Sequence, residues 1–162
     1  MKTSLDTAHT WFLEGCTQLP SGELRIRLAE GIKGANRIPM QIVAGVESSF
    51  FPVTVESSSR AVDVIFENAH ALFTYNESYD TGELELVAED GVKLKKVSAS
   101  SFRKHAEATT SILELATAPI AEWLLWTEDQ VFQILASAEP MIVEVPEGLN
   151  LAIARHETWT AS

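Results

Sequence analysis

A chain of 162 residues, 46% hydrophobic and 22% charged, has the make-up of one folded domain spanning 1–162 and is too rich in apolar side chains to stay disordered. With 23 Asp and Glu against 12 Lys and Arg, its formal net charge of −11 repels phosphate, so neither nucleic acid nor an anionic membrane surface is expected as a partner. One cysteine, Cys16, allows no internal disulfide and no Cys-based zinc site; no apolar run reaches the ~20 residues of a membrane span or opens the chain as a signal peptide would, and a cytoplasmic location is expected.

In chain order the local signals are mostly β. Thr10-Trp11-Phe12-Leu13 pairs back on Leu24, Ile26 and Leu28, which alternate with Arg25 and Arg27 as in a strand with one wet face, and Pro20-Ser21-Gly22 supplies the turn. Residues 51–56, FPVTVE, are short and β-branched. Residues 60–68, RAVDVIFEN, are apolar on both faces at their centre, as in a strand inside a sheet, and HALFTYNE is expected to return beside them. Residues 83–97, ELELVAEDGVKLKKV, place acids before and bases after Glu89-Asp90-Gly91, a tripeptide suited to a three-residue hairpin loop. That register sets Leu86 against Leu94, Ala88 against Val92 and Glu85 against Lys95.

Residues 101–116, SFRKHAEATTSILELA, are helical in part and stop before Pro119. Trp123, Leu125 and Thr127 then alternate as a strand. Two readings fit the next stretch of chain. Thr127-Glu128-Asp129-Gln130 has the form of a capping box ahead of Val131, Ile134, Leu135 and Ala138, which makes 128–138 a short helix; alternatively VFQIL pairs back on 121–127 across a TEDQ turn. The helix is the first choice and the hairpin the second. PMIVEV and NLAIARHETW complete the sheet. The expected architecture is mainly β, an antiparallel sandwich or partly open barrel built from hairpins, with one or two short helices in the C-terminal half; the alternative is α+β.

Chemical motifs are sparse. None of His9, His70, His105 and His156 stands two to five residues from another, so metal patterns built on one element are missing and no metal is expected. G-x-S-x-G and both glycine-rich phosphate motifs are absent, and neither a cofactor nor a catalytic residue is expected. Serines at 57–59 and 98–101 adjoin turns, where they serve local hydrogen bonds, and Cys16 reads as a small buried hydrophobe. An alternative pocket lies around His70, where Glu67 would tune a half-buried imidazole and Tyr75 stands nearby.

Charge is uneven along the chain. Residues 105–154 hold eight acids (Glu107, Glu114, Glu122, Glu128, Asp129, Glu139, Glu144, Glu147) and no Lys or Arg, which is −8 of the total −11. Trp123 and Trp126 fall inside this block. On a strand they point to opposite sides, one into the core and one outward; in a helix both face the core. An outward tryptophan beside carboxylates suits a basic protein, so Trp123, Trp126, Glu122, Glu128 and Asp129 are the candidate binding residues. The function expected is a non-catalytic protein-binding module that docks a basic partner through this block, in the manner of small inhibitor or immunity proteins. The alternatives are a small enzyme or ligand-binding β-barrel with a site around His70, and a structural homo-oligomer in which Trp123 or Trp126 buries against a second copy.

Overall fold

Alternating and β-branched runs pair into two antiparallel sheets that share one core. In a computed structural model, residues 2–146 are described. The first sheet has the order β1 (Thr10–Gln18), β2 (Leu24–Lys33), β6 (Ala61–Phe66), β12 (Met141–Val145), with the two-residue β5 (Val53–Thr54) also on β2. The second has the order β7 (Ala69–Asn76), β11 (Gln130–Ala136), β10 (Ala121–Trp126), β9 (Leu94–Ala99), β8 (Val87–Ala88). Short helices α1 (Ser101–Thr109) and α2 (Ile112–Leu115) lie between β9 and β10, and single 3-10 turns form at Ser4–Thr7 and Glu77–Tyr79. Among the described residues the protein is thus mainly β and antiparallel with two short helices in the C-terminal half, as expected, and its sheets do not close into a barrel. Among the described residues, no helix is long and apolar enough to cross a membrane.

Trp11, Ile26, Leu28, Val64 and Phe66 of the first sheet pack against Leu94, Trp123, Leu125, Phe132 and Ile134 of the second. Each fully buried side chain of this size stabilises the fold by about 1.5–3 kcal/mol relative to exposure, so this layer is what holds the two sheets together. The second sheet is covered on its other face as well. There Val97, Leu124 and Val131 meet Tyr75, Leu86 and Ala88, and Phe73 stacks on Phe102 of α1 with ring centroids 5.8 Å apart. Ser100 starts α1, its hydroxyl accepting from Arg103 N at 2.9 Å, and Ala106 turns inward.

The first hairpin forms as the alternation predicts, with Cys16 opposite Ile26 and Gln18 opposite Leu24, and Gly22 takes φ +89° in its turn. Residues 61–66 are buried throughout, between β2 and β12. Of 51–56 only Val53–Thr54 is a strand. Cys16 is exposed, contrary to the buried hydrophobe expected.

Three expectations need correction. First, residues 128–138 are not a helix: 130–136 form a strand paired to β10, with Trp126 opposite Val131. All of 131–136 is buried, Phe132 and Ile134 against the shared core and Val131 against the outer cluster, and a strand between two covering layers uses apolar residues on both faces. The capping-box sequence serves the turn instead. Thr127 Oγ1 accepts from Asp129 N and Gln130 N and donates to Gln130 O, which is the same hydroxyl chemistry that would cap a helix.

Second, β7 does not return beside β6. The Glu67-Asn68 turn passes the chain to the other sheet, where β7 pairs with β11, and Gly22 O and Asn68 O hold the crossing by accepting from Ala69 N and Ser137 N. Third, the 83–97 hairpin slips. Ala88 lies opposite Val97, and Glu85 pairs with Lys104 of α1 at 2.8 Å, not with Lys95. The loop opens because Lys93 is drawn to the N-terminal turn, its N–H donating to Asp6 Oδ1 and its ammonium to His9 O. The segment 150–159 lies outside the described residues.

Residues 34–52 leave the first sheet as a separate ribbon. β3 (Ile38–Val43) and β4 (Val46–Phe50) pair with each other and, among the described residues, with no other strand. Ile38, Met40, Val43 and Phe50 are exposed on it.

Candidate functional site

On β10 the two tryptophans part as strand geometry requires. Trp123 is buried in the shared core, and Trp126 is 38% exposed at the end of the strand. Glu122, on the same parity as Trp126, lies under α1 and has no exposed surface. Its Oε2 accepts from Ser100 Oγ at 2.8 Å, while Oε1 has no partner. Burial pushes this carboxyl up from its ordinary value. Ser100 and the Arg103 charge oppose the shift, and the charges of Glu83 and Glu107 add to it.

Glu128 and Asp129 have a structural use. Glu128 N donates to Trp11 O at 2.9 Å, its carboxylate accepts from Thr10 Oγ1, and Asp129 Oδ2 accepts from Leu13 N at 2.7 Å. The β10–β11 turn therefore covers the outer edge of β1, satisfying backbone groups that would otherwise be open to another chain. Elsewhere in the block, Glu107 pairs with Arg103 at 2.8 Å, and Glu139 stands 4.0 Å from Lys96. The five candidate residues do not form one acidic face: Trp123 and Glu122 are interior, and Glu128 and Asp129 are engaged with β1.

Glu67, His70 and Tyr75 do not converge. Glu67 and His70 are exposed in and beside the crossing turn, where His70 Nε2 lies 3.0 Å from Ser137 Oγ. Tyr75 stands five residues along β7, about 17 Å away at the rise of a strand. Its hydroxyl donates to Asp80 Oδ1 at 2.8 Å; burial, this bond and the charges of Asp80 and Glu83 all push the phenol up. Among the described residues, no group of three or more His, Cys, Asp or Glu is placed to hold a metal.

A second acidic stretch escaped the charge count along the sequence. Residues 61–92 also carry eight acids and no Lys or Arg, hidden by the bases that come after them at 93–96. Asp63 is taken up by Arg27 and Glu85 by Lys104. Glu77, Asp80 and Glu83 remain without an ion-pair partner among the described residues, and Asp90 is exposed. Within this run Tyr79 is 76% exposed and Leu84 is fully exposed. Asp80 shapes the loop by accepting from Gly82 N at 3.0 Å, and Gly82 has φ +71°, which favours glycine. The E-L-E-L alternation at 83–86 gave no signal of this, since it places Leu84 on the face of Leu86, which packs on the outer cluster; Leu84 faces water because 83–84 lies outside any strand.

Compared with protein-family models, curated proteins and solved structures, the chain matches none.

Proposed function

We propose that the protein is a non-catalytic binding module that docks a basic protein, and that the docking surface is the 77–90 loop. The observation that carries this is the exposure of Tyr79 and Leu84 among carboxylates with no Lys or Arg between them. An exposed aromatic and an exposed aliphatic side chain supply the apolar anchors that dominate interface energies, while surrounding like charge speeds encounter with an oppositely charged partner. The net charge of −11 acts in the same direction. The acids from 105 onward contribute general negative potential rather than the contact itself.

Affinity capture tests this at about 0.1 M and about 0.5 M salt, which shortens the screening length from roughly 10 Å to roughly 4 Å. A basic protein retained at low salt and released at high salt, and lost after Tyr79→Ala with Leu84→Ala, supports the assignment. Retention unchanged in that double variant sinks it. The exposed β3–β4 ribbon favours a second reading, self-association, because an isolated two-stranded hairpin is marginally stable in water. A concentration-independent monomer mass by light scattering rules that reading out.

A further inference from the structure

We propose that the cleft beside Trp126 binds a small organic anion with a flat apolar body, in the class of aryl phosphates, sulfonates and carboxylates. The cleft opens at one end of the sandwich, between the N-terminal turn, the loop entering β9 and the β10–β11 turn, with a volume of about 420 Å³. That is the size range of small-molecule sites. Three lysines line it, Lys2, Lys93 and Lys95. On β9 and β10, Lys95 pairs with Leu124, which puts it one diagonal step from Trp126 on the same face of the sheet. The half-exposed indole forms the apolar wall and offers a flat surface for stacking.

Two carboxylates also line the cleft, and the hydrogen bonds they already make decide what it can hold. Asp6 accepts from Thr3 N and Lys93 N, both at 2.6 Å, and from Thr3 Oγ1 at 3.2 Å. Burial alone would raise its carboxyl, but these bonds outweigh it and hold the group below its ordinary value, so Asp6 stays charged and engaged. Glu128 accepts from Thr10 Oγ1. Lys93 gives one N–H to His9 O and keeps two, and neither Lys2 nor Lys95 has an ion-pair partner among the described residues. The cleft therefore holds three lysines against two carboxylates that already accept hydrogen bonds, a balance that favours an anion over a cation. Acids farther than about 8 Å from the cleft weigh little on it, since charges at that range are largely screened at physiological salt.

Calorimetric titration with phenyl phosphate tests the site, with inorganic phosphate and phenol as the two halves of the probe. The result expected is binding of phenyl phosphate at least tenfold tighter than either half, weakened about tenfold by Lys95→Gln and by Trp126→Ala in variants whose circular dichroism is unchanged. A second pair of outcomes overturns the proposal. One is no heat from phenyl phosphate at millimolar concentration with the unaltered protein; the other is an affinity that neither substitution moves. Neither outcome bears on the 77–90 loop, whose capture experiment uses other residues.

Discussion

Replacing Glu122 by Gln isolates a buried carboxyl that has one hydrogen bond where two oxygens need partners. Ser100 Oγ serves Oε2, Oε1 is orphaned, and the nearest guanidinium, Arg103, is spent on Glu107. On the same face Gln133 Oε1 is also buried without a partner, so the surroundings lack hydrogen-bond donors. Because burial raises the carboxyl in the folded protein, the folded state holds a proton that the unfolded chain gives up above about pH 4.5. Stability therefore falls as pH rises from there toward the raised folded value, by at most about 1.36 kcal/mol per pH unit for one proton.

The amide introduced by Glu122→Gln carries no charge at any of these pH values and brings two N–H donors to a donor-poor layer. The variant and the parent are expected to match near pH 4, where both side chains are neutral, and to diverge as pH rises. By pH 8 the variant should lead by about 2 kcal/mol, the cost of a buried unpaired polar group, or roughly 6 °C in Tm for a chain of this size. Urea denaturation of both proteins at several pH values between 4 and 8 measures the difference, and every other titrating group cancels from it. A Glu122→Gln variant less stable than the parent by the same amount at every pH would refute the reasoning.

Two further outcomes rest on packing and pairing. Asp63 is buried on β6 and receives Arg27 through two bonds of 2.7 and 2.8 Å; Asp63→Ala should cost about 2–3 kcal/mol, less than for a fully buried pair because Arg27 can turn to solvent, whereas Glu85→Ala, breaking the exposed pair with Lys104, should leave the urea midpoint almost unchanged. At Gly31 an added Cβ would lie 2.6 Å from Thr10 Cγ2 and 2.8 Å from Val53 Cγ1, so Gly31→Ala should lose about 1–3 kcal/mol by thermal melting, while Gly15→Ala, with nothing within 4 Å, should change Tm little.

Which parts of this fold were legible in the chain depends on the range of the forces involved. The alternation of Leu24, Ile26 and Leu28 with Arg25 and Arg27 is a local record of one dry and one wet face, and the strand stands where it was expected. The all-apolar centre of 61–66 likewise announced an interior strand. Thr127-Glu128-Asp129-Gln130 was ambiguous in principle, since a threonine hydroxyl accepting from the next N–H groups starts a helix or closes a turn with nearly the same bonds. The ambiguity was removed from elsewhere in the chain, by layers on both sides of 131–136 assembled from strands and loops distant in sequence.

The candidate site divides along the same line. Composition and order by themselves determined a β-rich antiparallel protein, an excess of negative charge, at least one tryptophan of 123 and 126 in the core, and the absence of the common catalytic and phosphate motifs. These depend on residue types and on short spacings along the chain. Only the tertiary structure decided which acids are free. Glu128 and Asp129 look like surface charge until Thr10 and Leu13 arrive from the other end of the chain to bond them, and Glu122 looks like its neighbours until α1 folds over it. The three bases at 93–96 nearly balance the four acids at 83–90 on paper, yet the Lys93 ammonium goes to His9 O and Glu85 to Lys104. A charge is spent or available according to what stands within about 4 Å of it, and for a chain folded into two sheets that neighbour is seldom a neighbour in sequence.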